Sequence, residues 1–489
     1  MLAVLLVIFS VLAFAQSVQL PAPVVQALQA ENVPLENVSI YVQRMDASQA
    51  IVASRGIDAQ QVTVAPQALL SYQSDVPRNP ASVMKLLTSY AALDLLGPSY
   101  RWKTQFYALN LPQQGKLQGG IFVKGSGDPA LNTSHLAEVA SELQQKFNLN
   151  EICCEILLDN SAYAPQNFDA AAFDGKPYRA YNAPADALMV NQQAIRLQLI
   201  PSNEKVTVVA YPNWSLLIKR IDIKPIAGEC GDWKNNLQIK REGRVLSVRG
   251  EYPVSCGDKY LDVNWQGAEY VGGLFYSAWE QAGGRWTQAD KTAIRLANVP
   301  ENAVLLTEHT SPTLAEMLRE MNKTSNNVMA RALYLSLSRA FDASQLNLDQ
   351  AASVAKSEQA IKSWLQGKGF NFSELVLENG AGLSRVERIS ASHLGLLLND
   401  AFHSPVMAEL TASLPIYGVD GSLSKRKDTV LYGRAHLKTG SLESVRSIEG
   451  YVLDAKGRYW SVVFMANGAK SEATKPAQDA LLNWIYLQE

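Results

Sequence analysis

The spacing of apolar residues changes twice along this chain of 489 residues. From residue 82 to residue 96 the apolar residues fill more than one face of a helical repeat. The dipeptide Asn79-Pro80 precedes this run in the manner of a helix start, and Gly97 ends it. A helix that is apolar on several faces is usually buried in the centre of a domain, so we expect a central helix here.

A different pattern runs from about residue 104 to residue 300, where short alternating apolar runs are separated by Gly, Pro, Asn and Asp. This pattern is typical of β-strands and turns. Helical spacing returns after residue 312, where the polar stretch KTSNN separates two helices, and it predicts further helices at about 346–369 and 391–402. Two strand-like runs and an amphipathic helix end the chain.

The order of these patterns bears on the domain organisation. A chain of this length is expected to form two or three domains. Helices mixed with strands at both ends, with a β-rich block between them, indicate one domain whose chain is interrupted by an insertion. We place the two segments of the outer, catalytic domain at residues 17–103 and 306–489, and the insertion at residues 104–305.

Charge and the first residues restrict the cellular role. The formal net charge of -2 gives no general reason to expect nucleic acid or an anionic membrane as a partner. Residues 1–15 are apolar apart from Ser10 and end in Ala-Phe-Ala, which is typical of a cleaved signal peptide, although no Lys or Arg precedes the run. We therefore expect a periplasmic protein whose mature chain starts near Gln16.

The four cysteines and five histidines show no spacing typical of a metal site, so we expect no metal ion. Cys230 and Cys256 each precede a Gly-Asp pair in a loop-like context, and an oxidising compartment favours a disulfide between them. Cys153 and Cys154 lie in an apolar, strand-like run, where we expect buried thiols.

Three short motifs contain the side chains with catalytic chemistry, and they are Ser82-Val83-Met84-Lys85, Ser325-Asn326-Asn327 and Lys438-Thr439-Gly440-Ser441. A Ser followed by Lys three positions later is weak evidence alone, because four other pairs share the spacing: Ser202/Lys205, Ser353/Lys356, Ser422/Lys425 and Ser424/Lys427. Ser82 differs because it lies in the first turn of the predicted buried helix. There Lys85 shares its face, and the helix N-terminus favours a developing alkoxide.

A serine hydroxyl becomes a nucleophile only when a base takes its proton. A lysine can be that base only when burial or a nearby cation depresses its pKa. We assign the nucleophile to Ser82, the base to Lys85 and the nearby cation to Lys438. Ser325 would relay a proton toward the leaving nitrogen, and Asn327 would hold the amide of the substrate.

The strand that follows Lys438 would complete the site. The backbone N–H groups of Ser82 and Ser441 would form an oxyanion hole. The hydroxyls of Thr439 and Ser441, with Gly440 between them, would bind a terminal carboxylate of the substrate.

The ordered set S-V-M-K, S-N-N and K-T-G-S resembles the active-site motifs shared by penicillin-binding proteins and serine β-lactamases. Ser82 and Ser325 are 243 positions apart, more than a β-lactamase needs. This gap resembles the class C low-molecular-mass penicillin-binding proteins, the D-alanyl-D-alanine carboxypeptidase and endopeptidase family of the penicillin-binding protein 4 type. The segments 123–129, 378–385 and 414–422 are similar to the same family.

The resemblance implies an α+β fold of the penicillin-binding and serine β-lactamase type, an antiparallel sheet flanked by helices. The insertion would hold two β-rich domains, one nested in the other at about 131–211. The enzyme would cleave peptidoglycan stem peptides and crosslinks through an acyl-enzyme on Ser82, without a cofactor. β-Lactam antibiotics would acylate the same hydroxyl.

Two further residues bear on substrate choice. Arg385 is a candidate contact for the peptide stem, and Glu443 stands where the family often has Gln. A β-lactamase-like enzyme and an inactive wall-binding protein are the alternatives. The sequence leaves four points open. They are the balance of carboxypeptidase and endopeptidase action, the identity of the stem diamino acid, loose membrane association and the formation of a homodimer.

Overall fold

The computed structural model describes residues 19–45, 68–287, 292–344 and 351–488. The predicted signal peptide, residues 1–15, lies outside the described residues. The helices, in chain order, are α1 (Ala22–Ala30), α2 (Met84–Leu96), α3 (Thr133–Phe147), α4 (Ala268–Gln281), α5 (Leu314–Thr324), α6 (Asn327–Ser344), α7 (Val354–Gly367), α8 (Ala391–Phe402), α9 (Met407–Ser413) and α10 (Lys475–Tyr486).

The strands, in chain order, are β1 (Val38–Arg44), β2 (Leu70–Tyr72), β3 (Lys103–Ala108), β4 (Lys116–Leu117), β5 (Ile121–Gly125), β6 (Glu151–Ile152), β7 (Glu155–Asp159), β8 (Ala194–Pro201), β9 (Val206–Tyr211), β10 (Ile218–Ile226), β11 (Leu237–Glu242), β12 (Val245–Pro253), β13 (Lys259–Asn264), β14 (Arg285–Trp286), β15 (Ala293–Leu296), β16 (Val304–Thr310), β17 (Ala435–Leu442), β18 (Val445–Leu453) and β19 (Tyr459–Asn467).

Both ends of the chain contribute to the central sheet. Its strand order is β17-β18-β19-β1-β2, and all neighbours are antiparallel. β1 and β19 are buried along most of their length, which explains why neither sequence alternates regularly between apolar and polar residues. The N-terminal β1 therefore lies between a near neighbour in sequence and a strand from the C-terminus.

Helices cover both faces of this sheet. The helices α1 and α10 share one hydrophobic core with β1 residues such as Val38. The helices α2, α5, α6, α7 and α8 share the core on the other face with residues such as Tyr41 and Val463. Every residue of α2 from Met84 to Leu93 is buried, as its apolar pattern predicts. The expected α+β class, with an antiparallel sheet flanked by helices, is confirmed.

The insertion has its own hydrophobic core. Its largest sheet has the order β15-β7-β5-β3-β16, and the helices α3 and α4 pack together in the same core. Two three-stranded sheets, β13-β8-β9 and β10-β12-β11, come between β7 and α4 in the chain. The sequence pattern did not locate α3 and α4.

The domain boundaries stay a prediction, and the composition of the sheets favours different bounds for the nested unit. The nested unit was placed at about 131–211, yet β7 belongs to the sheet that contains β3 and β5, and α3 packs against β16 of that sheet. We propose that the nested unit spans about residues 160–265, because both three-stranded sheets lie within that range.

The cysteines form two pairs. A disulfide joins Cys230 to Cys256 across 26 residues of the nested sheets. Cys153 and Cys154, between β6 and β7, are bonded to each other, and both are half-buried. The expectation of buried thiols at Cys153 and Cys154 was wrong.

Candidate active site

Ser82 lies in a single turn of 3₁₀ helix, Ala81–Val83, that leads directly into α2. Asn79 fixes the start of this turn, because its Oδ1 accepts a hydrogen bond from the N–H of Ala81 at 2.9 Å. The backbone of Asn79 also exchanges two hydrogen bonds with the side chain of Asn467 on β19, at 2.7 and 3.0 Å. The turn is therefore anchored to the central sheet as well as to its own helix.

Lys85 lies one turn after Ser82 and is fully buried. Its Nζ lies 3.1 Å from Ser82 Oγ, 2.7 Å from Asn327 Oδ1 and 2.5 Å from the Ala381 carbonyl oxygen. A neutral amine has two N–H groups, which donate to Asn327 and Ala381, and its lone pair accepts from the Ser82 hydroxyl. Burial lowers the pKa of Lys85 well below its usual value, and the charge of Lys438 lowers it further. A neutral amine at this position can accept the proton of the Ser82 hydroxyl.

Ser325 and Asn327 lie at the break between α5 and α6. Ser325 ends α5 with a left-handed φ of 57°, and α6 begins at Asn327. The polar KTSNN stretch thus separates two helices, as its sequence predicts. The turn aims the Ser325 hydroxyl at Lys438 and the Asn327 amide at Lys85.

Lys438 lies on β17 and is fully buried. Its Nζ donates hydrogen bonds to Ser325 Oγ at 2.8 Å and to the carbonyl of Thr439 at 2.8 Å. Burial lowers the pKa of Lys438 to about 7. Hydrogen bonds therefore connect Lys438 to Ser325 and Lys85 to both Ser82 and Asn327, which brings all three motifs to one place.

Two glycines allow the backbone to close around the Ser82 turn. A Cβ on Gly440 would lie 2.6 Å from the Pro80 carbonyl oxygen. A Cβ on Gly382, whose φ is +76°, would lie 1.8 Å from the Ala81 carbonyl oxygen. Both positions need glycine, because a side chain would push β17 or the 380–385 loop away from the Ser82 turn.

The hydroxyls after Lys438 have partners that the sequence did not predict. Thr439 Oγ1 lies 2.7 Å from Ser422 Oγ. The hydroxyl of Ser441 accepts a hydrogen bond from Arg446 on the neighbouring strand. Ser422 belongs to one of the four other Ser/Lys pairs that share the spacing of Ser82 and Lys85. Nothing in the local sequence indicates that residue 422 lies beside Thr439.

Arg385 lies at the edge of this site. Its guanidinium is 3.4 Å from the carboxylate of Glu443 and stacks over the Phe173 ring, 4.6 Å from the centroid. It also borders a cavity of about 640 Å³ that Asn379, Ser384 and the 164–173 loop help to line. We call this space the first cavity.

Two of the other Ser/Lys pairs have structural roles, and no metal site is found among the residues that the structure describes. Ser353 caps α7 by accepting a hydrogen bond from the Lys356 N–H, and Ser202 closes the turn between β8 and β9. Within the described ranges, no group of three or more His, Cys, Asp or Glu side chains is arranged to hold a metal ion.

An antiparallel sheet covered by helices, with a serine beside a buried lysine at the start of a central helix, defines a serine enzyme of the penicillin-binding type. The model of the D-Ala-D-Ala carboxypeptidase 3 (S13) family matches residues 36–486. The chain belongs to this family, and its activity is that of a serine-type D-Ala-D-Ala carboxypeptidase.

Individual relatives agree with the family assignment. The chain is 28% identical over 429 residues to a D-alanyl-D-alanine carboxypeptidase of Actinomadura sp. (strain R39), an alignment that covers 82% of this chain and 76% of the relative. The crystal structure of penicillin binding protein 4 from Haemophilus influenzae superposes with a TM-score of 0.77 at 21% identity, covering 95% of this chain and 99% of that one. The likeness to this solved structure shows the fold.

Proposed function

We propose that Ser82 is the nucleophile of the carboxypeptidase and that Lys85 is its general base. The 3.1 Å hydrogen bond between Lys85 Nζ and Ser82 Oγ carries this proposal. Lys85 takes the hydroxyl proton as Ser82 Oγ attacks the carbonyl of the penultimate D-Ala. The Oγ–C bond forms, the amide C–N bond breaks, and the leaving amine takes a proton from the Ser325 and Lys438 pair.

The remaining groups orient the substrate. Asn327 holds the amide of the acyl side, while the N–H groups of Ser82 and Ser441 stabilise the oxyanion. Thr439, joined here by Ser422, binds the terminal carboxylate next to the Lys438 ammonium. Before deacylation, the proton on Lys85 returns to the Ser325 and Lys438 pair, which resets both lysines. Water then attacks the ester carbonyl while the neutral Lys85 accepts a proton from it, the bond between the carbonyl carbon and Ser82 Oγ breaks, and Lys85 gives that proton to Ser82 Oγ.

We extend the proposed substrates to peptidoglycan crosslinks and β-lactams. One solved structure of the Haemophilus influenzae protein, with a TM-score of 0.72 and 21% identity, is described as a complex with a novel β-lactam. A β-lactam has an amide and a carboxylate in the places that the site would use for a D-Ala terminus. It would therefore acylate Ser82 and leave an ester that water reaches slowly.

Mass spectrometry after incubation with benzylpenicillin tests the assignment of the nucleophile. We expect one covalent adduct on the tryptic peptide that contains Ser82 and none in Ser82→Ala. Ser353→Ala is the matched control, because Ser353 has the same Ser/Lys spacing but caps a helix, and it should keep the adduct. An adduct on Ser353 or Ser422 would refute the proposal, and rapid release of hydrolysed penicillin would favour a β-lactamase.

We also propose that the protein is exported and acts in the periplasm, where its substrate lies. In the described part of the chain, no helix is long and apolar enough to cross a membrane. N-terminal sequencing of the secreted protein should find a start near Gln16. Sedimentation of the purified protein, alone and with lipid vesicles, tests the homodimer and the loose membrane association.

A further inference from the structure

A second cavity, of about 680 Å³, lies beside the Ser325 turn. Residues 324–328 form one of its walls, and the sheet β13-β8-β9 of the nested unit contributes another. Ser325 and Asn327 therefore border this cavity while their side chains contact the two catalytic lysines. The cavity thus borders the candidate active site at these two residues.

The wall from the nested unit presents large aromatic side chains to solvent. Tyr211 at the end of β9 is 50% exposed, and Tyr260 on β13 is 55% exposed. Strand pairing places Tyr211 directly opposite Arg196, which lies on β8 between the two outer strands. Exposed tyrosines of this kind offer flat apolar faces and a polar tip, a combination enriched at binding surfaces.

The charged residues that line the second cavity are mostly cations. Arg179, Arg196 and Lys234 are the basic ones, and Asp262 is the acidic one among the lining residues, all of which lie in the described part of the chain. Arg196 and Asp262 pair with each other through two hydrogen bonds, at 2.7 and 3.0 Å. The remaining positive charge suits a ligand that carries carboxylates.

A strained turn connects this wall to the catalytic residues. Asn191, Gln192 and Gln193 all have left-handed φ values, of 49°, 54° and 55°, and they immediately precede β8. Gln192 Oε1 accepts a hydrogen bond of 2.6 Å from Asn326, the residue between Ser325 and Asn327. Strain of this kind persists where the surrounding structure enforces it, often at functional sites.

We propose that the second cavity binds the leaving half of a peptidoglycan crosslink, namely the second stem peptide. This inference rests on the proposed function. A carboxypeptidase releases a single D-Ala, which needs no cavity of this size on the leaving side. A crosslink continues as a peptide on both sides of the scissile amide. The cavity beside Ser325, the proposed proton donor to the leaving nitrogen, meets that need, and its cations match the free carboxylates of a stem peptide.

The test compares two purified substrates, a monomeric pentapeptide muropeptide and a crosslinked dimeric muropeptide. In the double variant Tyr211→Ala/Tyr260→Ala, we expect kcat/KM for the dimer to fall about tenfold more than kcat/KM for the monomer. Lys234→Glu should also lower the ratio of kcat/KM for the dimer to kcat/KM for the monomer. Ile218→Ala is the control, because this residue is 51% exposed on β10 and does not line the cavity; it should leave the ratio unchanged.

The outcomes separate this inference from the proposed function. An unchanged ratio in both the double variant and Lys234→Glu would overturn the inference, as would a wild-type protein that cleaves the monomer and never the dimer. Failure of the proposed function would appear elsewhere, as Ser82→Ala that still cleaves the monomer. Thermal unfolding of each variant shows that a changed ratio does not come from misfolding.

Discussion

Glu449 provides the sharpest test of the electrostatics around Lys438 on β17. It lies on β18 directly opposite Lys438 of β17 and is fully buried. Within the described residues, neither of its carboxyl oxygens has a hydrogen-bond partner. Burial raises the pKa of Glu449 well above its usual value of 4.5, because an ionised carboxylate would be left without solvation.

The raised pKa makes stability depend on pH in an unusual direction. Above about pH 4.5 the unfolded chain loses the proton of Glu449, whereas the native chain keeps it until the pH reaches the raised pKa. The unfolded state therefore binds fewer protons, and stability falls as pH rises, by about 1.4 kcal/mol per pH unit. Between about pH 5 and pH 7 this residue alone costs at most about 2.5 kcal/mol, the limit reached when the native carboxyl stays protonated throughout.

The substitution Glu449→Gln keeps the shape of the side chain and removes the titration. We expect its free energy of unfolding, relative to wild type, to increase between about pH 5 and pH 7, by at most about 2.5 kcal/mol. Urea unfolding followed by tryptophan fluorescence measures both proteins at each pH. Glu242→Gln, on the exposed part of β11, controls for the amide substitution itself.

A relative stability that is the same at both pH values would refute the reasoning. It would mean that Glu449 is ionised in the native protein, with Lys438 as its counter-ion. In that case Glu449→Gln should also change the pH profile of acylation by benzylpenicillin, since the charge of Lys438 would then depend on Glu449.

Three further predictions concern the site and its support. Gly382→Ala should destabilise the protein by about 2 kcal/mol or more and abolish penicillin labelling, because the new Cβ would overlap the Ala81 carbonyl. Urea unfolding measures the stability, and gel fluorescence measures the labelling. Carboxypeptidase kcat/KM should fall as pH rises through about 7, where Lys438 loses its proton, and Lys438→Arg should move that limb to higher pH. Cys230→Ser should lower the free energy of unfolding by about 2–4 kcal/mol while penicillin labelling at neutral pH continues, since the disulfide lies in the nested sheets.

The parts of the fold that sequence patterns predict are those determined by neighbours in the chain. The buried α2, the break between α5 and α6, and α8 at Ala391–Phe402 follow from local spacing and capping. The helix expected at 346–369 begins instead at Val354, where Ser353 caps it. The first residues of that expected helix include 346–350, which lie outside the described residues.

The parts that patterns did not predict depend on contacts between distant residues. Ser422 joins Thr439 only because a loop and a strand meet, and Gly382 is needed only because its loop crosses the Ala81 carbonyl. Glu449 lies in a strand that also contains Arg446 and Ser447, and no local rule indicates that Glu449 is fully buried. The helices α3 and α4 were missed because β-like runs dominate the sequence around them.

The strand order of the central sheet has a consequence for when this protein becomes active. Ser82 belongs to the first fifth of the chain, whereas Lys438 and β19, which anchors the nucleophile turn through Asn467, belong to the last fifth. A ribosome product that stops before β17 therefore carries Ser82, the proposed nucleophile, but lacks Lys438 and the strand that holds the Ser82 turn. Such a fragment would not attack peptidoglycan, so the cell wall meets a working enzyme only after synthesis is almost complete.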